Sequence, residues 1–296
     1  MNNFIEYFYR IKTDEIKYDG KYYSFTYDYY HYRLYVIDDN INIDYLISLN
    51  KRLLGSTLIS EIVININYKY ISTYNNINYI LIKVFVNPNK KIRLNELVSF
   101  DYSLYNNTIS SNWGILWSNK IDYLERLISE NNKKYPLMAD SFNYFLGMAE
   151  NAIGYYNSII IPKNYNLFIS HHNLSFNNSI ELVYNPLNIF FDYIARDIGE
   201  YIKYSFFTNN KNIFNELSLL INDLSVIDVK LIIARIMYPS FYFNLYEDIL
   251  IYNKDEKVLL KIIEKLDDYQ KYLANIIDYF GNIYDIDYIS WLKKDW

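Results

Sequence analysis

The segment His171-His172-Asn173-Leu174-Ser175-Phe176-Asn177-Asn178 decides how this chain is interpreted. It lies in a region, residues 159–186, whose pattern predicts short strands and loops. Within it, His171, Asn173 and Asn178 follow the spacing H-x-D-L-x-x-x-N, except that an amide replaces the carboxylate at residue 173. A carboxylate can accept a proton and hold a magnesium ion, whereas an amide oxygen does neither well. Residue 173 therefore decides whether this loop can carry acid–base chemistry.

Before this segment, the N-terminal part of the chain is predicted to be rich in β-strands. Asp19-Gly20 is a two-residue turn signal inside a hairpin that covers residues 14–37. A helix follows, with Asp44 as its expected N-cap. Two further runs of β-forming residues cover 61–73 and 78–86. We therefore expect an antiparallel sheet accompanied by one helix.

Most of the remaining chain has the 3.6-residue apolar period of helices. The clearest apolar stripe runs from Leu259 to Phe280. The predicted helices cover residues 116–128, 142–156, 193–203, 215–238 and 257–280. We therefore predict an α+β fold of two lobes, in which residues 1–90 form a small β-rich lobe and residues 91–296 form a larger, mainly helical lobe that carries the loop.

The composition is that of an ordinary globular protein, with 51% hydrophobic and 21% charged residues. The 36 tyrosines and only 7 glycines are unusual. Abundant Ile and Asn accompany this excess of tyrosine, so the interpretation we favour is a genome with A/T-rich codons. A chemical role of the tyrosines, such as cross-linking, is the second interpretation. The net charge of −5, without a basic block, argues against nucleic-acid and anionic-membrane partners.

Several classes of site and of cellular location are also disfavoured. Because the chain has no cysteine, disulfides, thiolate zinc sites and a cysteine nucleophile are excluded, and three histidines are too few for a His-rich metal site. The N-terminus does not have the pattern of a signal peptide, and no apolar run of about 18 residues occurs. We expect a soluble, cytoplasmic protein without a membrane span.

The order of the predicted elements resembles that of protein kinase-like folds. The predicted order is strands, one helix, two more strands, and then a large helical part with a hairpin that carries the loop. This order resembles that of the aminoglycoside phosphotransferase branch. The loop at His171 is similar to the H-G-D-L-x-x-x-N loop with which small-molecule kinases receive a substrate hydroxyl proton. The resemblance implies a bilobal kinase-like fold.

Four phrases resemble a narrower group, the kinase-like spore coat-associated proteins of the YutH/CotS type. One is similar to that group's D-H-P-x-R-D-x-A-E-W-I segment, and another to its L-x-x-R-x-x-x-P-x-x-Y-F segment. The four phrases, in chain order, are residues 113–125, 144–155, 191–202 and 234–243. The N-terminal part matches this group only in its layout.

The resemblance implies a set of parts for phosphoryl transfer, and several of them are replaced. Gly20 is the one glycine of the hairpin, so a glycine-rich phosphate loop is missing. The position of the phosphate-binding strand lysine falls on Tyr35, while Arg33 lies on the same strand face about 7 Å further back. The helix after Asp44 contains no glutamate to pair with that lysine. Asn173 stands at the position of the catalytic aspartate.

Two parts are retained in spacing. Asn178 corresponds to the loop asparagine that holds magnesium, and Asp192 follows at the distance of the metal-binding aspartate. ATP and Mg²⁺ would bind there if the protein were an enzyme; otherwise we expect no cofactor. Asp192 also belongs to a run with Arg196 and Asp197, whose spacing suits a helix start with an i,i+4 ion pair equally well.

The same residues have structural interpretations. A histidine at 171 is more often a packing or hydrogen-bonding residue than a proton donor. Glu150 and Asn151 lie among apolar neighbours and either face solvent or form a buried polar staple; we favour the staple. The residues predicted to cluster inside the helical lobe are Glu150, Asn151, Arg196, Asp197 and Arg235.

We therefore expect an inactive kinase-like protein, a pseudokinase, that acts as a structural and interaction module in sporulation. The resemblance implies other spore coat proteins as partners and a location in the mother-cell cytoplasm, associated with the spore coat. The alternative is an active small-molecule phosphotransferase of the aminoglycoside or choline kinase type. A third possibility is a viral or plasmid protein from an A/T-rich genome.

Overall fold

A computed structural model describes residues 1–38, 41–54, 60–84, 92–98, 112–172, 174 and 183–292. The chain divides into two compact units. The first consists of Met1–Phe100 and His171–Phe190, and the second of Asp101–Ser170 and Phe191–Trp296. The segment that begins with the loop at His171 thus belongs to the same unit as the N-terminal strands.

The first unit is built around an antiparallel sheet. Its strands are β1 (Lys17–Tyr18), β2 (Tyr22–Tyr27), β3 (Tyr30–Ile37), β4 (Glu61–Ile62), β5 (Ile71–Tyr74) and β6 (Ile77–Val84). They are ordered β1-β2-β3-β6-β4, and β5 also pairs with β6. The described helices of this unit are α1 (Asn2–Tyr9), α2 (Ile43–Leu54) and α3 (Leu94–Val98). The hairpin with its turn at Asp19-Gly20 has formed as the sequence predicts.

The two faces of this sheet bury different apolar clusters because side chains alternate along each strand. On one face, Leu34 and Leu81 pack against Phe4 and Ile5 of α1. On the other face, Ile80 and its neighbours Ile37 and Ile82 pack with Leu46 of α2. Helix α1 was not predicted from the sequence; its N-terminus has no side-chain cap and no acidic residue in its first turn.

Two local predictions in this unit were wrong. The run 61–73 is interrupted because the Asn65 side chain accepts hydrogen bonds from the backbone of Asn67 and Lys69, at 2.9 and 3.0 Å, and so holds a turn. The predicted N-cap of α2, Asp44, lies inside the helix. The side chain of Asn42 accepts the hydrogen bond from the Tyr45 backbone instead.

The second unit is mainly helical. Its helices are α4 (Trp113–Asn131), α5 (Pro136–Ser158), α6 (Ala195–Phe207), α7 (Ile213–Ser218), α8 (Val226–Met237), α9 (Ser240–Tyr252), α10 (Leu260–Ile263) and α11 (Leu266–Gly281). A second sheet pairs β7 (Phe168–His171) with β8 (Ile189–Asp192). Helix α8 is the central element, since almost all its residues from Val229 to Met237 are buried and it packs against α5 and α6.

The predicted helix 215–238 is two helices. Ser225 and Asp228 form a capping box, in which each side chain accepts a hydrogen bond from the other residue's backbone N–H. This cap starts a new helix, α8, and separates it from α7. The predicted helix 257–280 is likewise divided between α10 and α11. None of the helices in the described part of the chain is long and apolar enough to cross a membrane.

Candidate active site

The strand position expected to hold a lysine carries a neutral side chain. Tyr35 lies on β3, and its hydroxyl accepts a hydrogen bond from the Asn185 side-chain amide at 3.0 Å. Its ring lies 5.0 Å from that of Tyr22. Burial raises the pKa of Tyr35 above its ordinary value, so the hydroxyl stays protonated at neutral pH. Tyr35 therefore supplies no cation.

Arg33 is the cation on the same face of β3. Its guanidinium carbon lies 4.1 Å from the centre of the Tyr22 ring, a cation–π contact that holds the side chain over β2. In the sheet, Arg33 pairs with Ser24 on one side and Ile82 on the other. The charge that the sequence analysis considered as a substitute for the lysine is thus engaged by an aromatic ring.

The hairpin turn is closed by its own carboxylate. Asp19 accepts hydrogen bonds from the backbone N–H groups of Lys21 and Tyr22, at 2.9 and 3.1 Å. Gly20 has φ +93°, the left-handed region that glycine adopts without strain. Slight burial acts to raise the pKa of Asp19, but the hydrogen bonds outweigh it and lower the pKa, so the carboxylate is ionised. Two N–H groups of the turn are therefore occupied by an anion of the chain.

His171 is buried, with 1% of its surface exposed, and its Nε2 lies 3.0 Å from the Val183 carbonyl oxygen. The next residue, His172, stacks its ring on Phe190 at 4.1 Å. These are packing and hydrogen-bonding contacts, the structural alternative to a catalytic role for His171. The catalytic role stays a prediction, and Asn173 and Asn178 lie outside the described residues.

In the second unit, Asp192 is fully buried at the end of β8. The Trp113 indole N–H donates to its two oxygens, at 3.2 and 3.0 Å, and the Tyr193 backbone N–H donates at 2.8 Å. Arg196 lies 3.3 Å from the same carboxylate, the i,i+4 ion pair that the spacing allowed. Burial raises the pKa of Asp192, although Arg196 and the indole act in the opposite direction.

A network of largely buried charges is centred on Glu200 of α6, whose side chain is 15% exposed. Its Oε1 accepts from Arg235 Nε at 2.7 Å and from Lys203 Nζ at 2.8 Å. Lys203 also donates to the Ser240 hydroxyl at 2.7 Å and to the Tyr238 carbonyl at 3.1 Å. The four side chains join α6 to α8 and to the start of α9. Glu200 is the one carboxylate of this network and faces two cations, Lys203 and Arg235, and none of the four side chains is among the described buried groups without a hydrogen-bond partner.

The electrostatics of this network favour the charged carboxylate. Burial acts to raise the pKa of Glu200, but the charges of Lys203 and Arg235 outweigh it and lower the pKa to about 2. Burial lowers the pKa of Lys203 to about 8, against the opposing charge of Glu200. Gly199 makes the close approach possible, because a Cβ there would lie 2.6 Å from Arg235 Cγ.

Comparison with known proteins identifies the family. The chain matches the family model described as "Spore coat putative kinase YutH" over residues 2–276. It belongs to the YutH family. It is also 25% identical over 210 residues to the endospore coat-associated protein YutH of Bacillus subtilis strain 168, a match that covers 62% of this chain and 61% of that protein. The family predicted from the four phrases is confirmed.

Solved structures confirm the kinase-like fold. An aminoglycoside phosphotransferase from Alicyclobacillus acidocaldarius is similar with a TM-score of 0.65 at 10% identity, covering 91% of this chain and 93% of that one. Spectinomycin phosphotransferase, solved with ADP and spectinomycin, gives 0.56 at 11% identity, with 96% and 94% covered. Amicoumacin kinase, solved with AMP-PNP and Ca²⁺, gives 0.56 at 11% identity, with 92% and 91% covered. At these identities the likeness concerns the fold.

The predicted polar staple of this YutH-family chain was wrong in part. Glu150 and Asn151 are exposed, and the Asn151 amide donates to the Gly147 carbonyl of its own helix at 2.7 Å. The reason is helical phase, because α5 buries the face that includes Met148, Ala149 and Ala152.

The other three predicted members of the cluster lie inside the helical unit. Arg235 and Asp197 are buried, at 7% and 2% exposure, and Arg196 is held by Asp192. Glu200, at the centre of this network, and its partner Lys203 were not predicted from the sequence. A signal existed, since Glu200 and Lys203 stand three residues apart and share one helix face with Arg196.

In the part of the chain that the structure describes, no group of three or more acidic or histidine side chains is placed to hold a metal ion. The metal-binding roles predicted for Asn178 and Asp192 therefore remain predictions. The carboxylate of Asp192 already accepts hydrogen bonds on both oxygens.

Proposed function

We propose that this YutH-family protein is a catalytically inactive kinase-like module that associates with other proteins of the spore coat. The observation that carries the proposal is the closed turn at Asp19. In protein kinases a glycine-rich loop covers the phosphates of ATP, and backbone N–H groups are the donors that such loops offer to an anion. Here a carboxylate of the chain takes two of these donors, and its negative charge opposes a phosphate.

The state of Tyr35 supports the same proposal. Phosphoryl transfer relies on a fixed cation beside the phosphates, which a neutral, hydrogen-bonded phenol does not supply. Arg33, the cation of that strand face, lies over the Tyr22 ring. Because Tyr35 carries no charge and Asp19 takes two N–H groups of the turn, we derive no transfer step. Active phosphotransfer with Asn178 and Asp192 as magnesium ligands is the alternative that the experiments below test.

The association with the coat follows from family membership. The Bacillus subtilis relative is an endospore coat-associated protein. By analogy, this chain acts in the mother-cell cytoplasm and binds the coat through protein contacts. A fluorescent fusion expressed in the mother cell of sporulating Bacillus subtilis should form a ring around the forespore. Fluorescence that stays diffuse throughout sporulation would contradict the coat assignment.

Loss of nucleotide binding is tested separately with purified protein. We expect Mg-ATP to leave the Tm of the wild type unchanged, because the turn and the strand position offer no phosphate site. Asp19→Ala frees the N–H groups of Lys21 and Tyr22, whereas Asp19→Asn keeps an acceptor without the charge and serves as the matched control. A clear rise in the Tm of the wild type with Mg-ATP would favour the alternative.

A further inference from the structure

Two tyrosine rings lie in contact across the first hairpin of the sheet. Tyr18 of β1 is the direct cross-strand partner of Tyr23 of β2, and their ring centres lie 4.7 Å apart. Direct partners in an antiparallel pair point to the same face of the sheet. The Tyr18 hydroxyl donates a hydrogen bond to the Gly20 carbonyl oxygen at 3.0 Å, which holds its ring beside the turn. The hairpin therefore keeps two phenols side by side.

Solvent reaches this pair more readily than the tyrosine pairs of the second unit. Tyr18 is 60% exposed, Tyr23 is half-buried, and both line an open cavity beside α1. In the described part of the second unit, tyrosine rings in contact have their centres 5.9–6.5 Å apart, and each pair includes a buried ring. These pairs are Tyr165–Tyr193, Tyr201–Tyr204, Tyr242–Tyr246 and Tyr269–Tyr272.

The neighbouring Tyr22 shows that strand pairing, not distance along the chain, selects Tyr23. Tyr22 is one residue closer to Tyr18 in the sequence, but the alternation of side chains along β2 turns it to the opposite face of the sheet. There its ring lies 5.0 Å from that of Tyr35, whose hydroxyl is bound to Asn185. Only the fold therefore brings Tyr23, rather than Tyr22, against Tyr18.

Two phenols in contact can be joined by oxidation. The oxidant takes one electron and one proton from each hydroxyl, which leaves two phenoxyl radicals. The radicals combine through the ring carbons next to the hydroxyl-bearing carbons, and the hydrogen on each of these carbons moves to the oxygen as the rings become aromatic again. One molecule of hydrogen peroxide accepts the two electrons and two protons and becomes two molecules of water. Holding the rings together makes this step an intramolecular one.

We propose that Tyr18 and Tyr23 form an oxidative modification site, at which hydrogen peroxide and a haem peroxidase join the two rings into a dityrosine within one chain. The new bond spans the turn in which Asp19 accepts hydrogen bonds from Lys21 and Tyr22, and so keeps that turn closed. Cross-links that close short loops remove little entropy from the unfolded chain, so the link acts on the turn rather than on the stability of the whole unit. It gives two of the 36 tyrosines a chemical role.

The test treats the dilute, purified full chain with hydrogen peroxide and a plant peroxidase, and analyses the monomer fraction by mass spectrometry. Trypsin cleaves after Lys17, Lys21 and Arg33, so it places Tyr18 and Tyr23 in different peptides. We expect these two peptides to be recovered joined, with a mass two hydrogens below their sum. Fragmentation should locate the bond at Tyr23.

Two variants separate the fold from the sequence. Because contact makes the coupling intramolecular, we expect Tyr23→Phe to lower the yield of the joined peptides at least about tenfold. Tyr22→Phe is the matched control in the same tryptic peptide, and it should give the yield of the wild type. Phenylalanine keeps each ring, so unchanged Tm values verify that both variants are folded.

Three results would overturn the proposal: no joined peptides in the monomer fraction, a bond located at Tyr22 or at the 97% exposed Tyr29, or an undiminished yield in Tyr23→Phe. A bond at Tyr22 would show that closeness along the chain controls the coupling, and one at Tyr29 that exposure does. The proposed function does not involve this cross-link, so a failure here leaves the coat-localisation and nucleotide tests unaffected.

Discussion

At the scale of single residues, Glu200 links three helices of the helical unit through its hydrogen bonds to Lys203, Arg235 and Ser240. One carboxylate oxygen accepts from both Arg235 and Lys203, and the Ser240 hydroxyl donates to the same group. Removal of a carboxylate from such a network leaves buried cations without a counter-charge, and the cost of that exceeds the value of one hydrogen bond.

We therefore expect Glu200→Gln to lower the free energy of unfolding by about 3–5 kcal/mol, the range for breaking a buried ion pair. Urea denaturation followed by circular dichroism measures the change. Glu150→Gln is the matched control, because Glu150 is an exposed helical glutamate; it should change the unfolding free energy by less than about 0.5 kcal/mol. Equal stability of the two variants would refute the assignment of Glu200 as the centre of this network.

The pKa of Glu200 also predicts a dependence on pH. In the folded state it is about 2, below the ordinary value of 4.5, so the unfolded chain binds more protons between these values. The stabilisation from Glu200 is complete above about pH 4.5 and is lost as the pH falls towards 2. Between pH 5 and pH 2, Tm should therefore fall more steeply for the wild type than for Glu200→Gln. Parallel curves would contradict the pKa assignment.

The contacts and the burial of single residues were only partly predictable from the sequence. The spacing of Asp192 and Arg196 predicted a possible ion pair, because i,i+4 neighbours share one helix face, and the pair formed. The burial of Glu150 and Asn151 was predicted wrongly, because apolar neighbours occupy both sides of that stretch of sequence and only the packed helix shows which face is inside. Lys203 lies three residues from Glu200 on the same helix, but Arg235 and Ser240 lie 35 and 40 residues away, and one sequence does not reveal such long-range pairs.

At the scale of elements, close packing of α6 against α8 depends on a glycine. A Cβ at Gly199 would lie 2.6 Å from Arg235 Cγ and 2.8 Å from Arg235 Cβ, which is closer than real contacts allow. The position is an ordinary helical one, and the glycine is needed for space rather than for backbone conformation.

Gly199→Ala should therefore lower the free energy of unfolding by about 1–3 kcal/mol, the usual cost of overpacking. Gly154→Ala is the control on another helix, where a Cβ meets nothing within 4 Å. There alanine should raise stability by about 0.4–1 kcal/mol, because it restricts the unfolded chain. Chemical denaturation of both variants measures the contrast. Opposite signs are expected, and a stabilising Gly199→Ala would show that the two helices can separate without cost.

Where apolar periodicity extended over many residues, the sequence predicted whether a segment is helix or strand. It did not predict where each helix or strand ends. The stripe from Leu259 to Phe280 is helical, yet it divides between α10 and α11. The break before α8 depends on the reciprocal hydrogen bonds of Ser225 and Asp228, which a periodicity argument overlooks. In the sheet, the side chain of Asn65 made a turn inside a run of β-forming residues.

At the scale of the whole molecule, the family and the fold were predictable while the chemistry was not. Four ordered segments of the helical part resembled the YutH family, and the match to the family model over residues 2–276 confirmed it. The closed turn at Asp19 was not foreseen, since it depends on side-chain geometry in one hairpin. A kinase-like fold hosts both active and inactive members, so function must be argued from such local contacts.

The central claim, that this YutH-family protein does not transfer phosphate, is tested most directly by ADP release. Wild type and Asn173→Asp are incubated with Mg-ATP and a panel of aminoglycosides, choline, homoserine and sugars, beside an active aminoglycoside phosphotransferase as positive control. We predict that neither protein exceeds the protein-free rate, because a carboxylate restored at residue 173 leaves Tyr35 without a charge and leaves the two N–H groups of the turn bound to Asp19. Substrate-dependent ADP release by the wild type, lost in Asp192→Asn, would contradict the account and establish an enzyme.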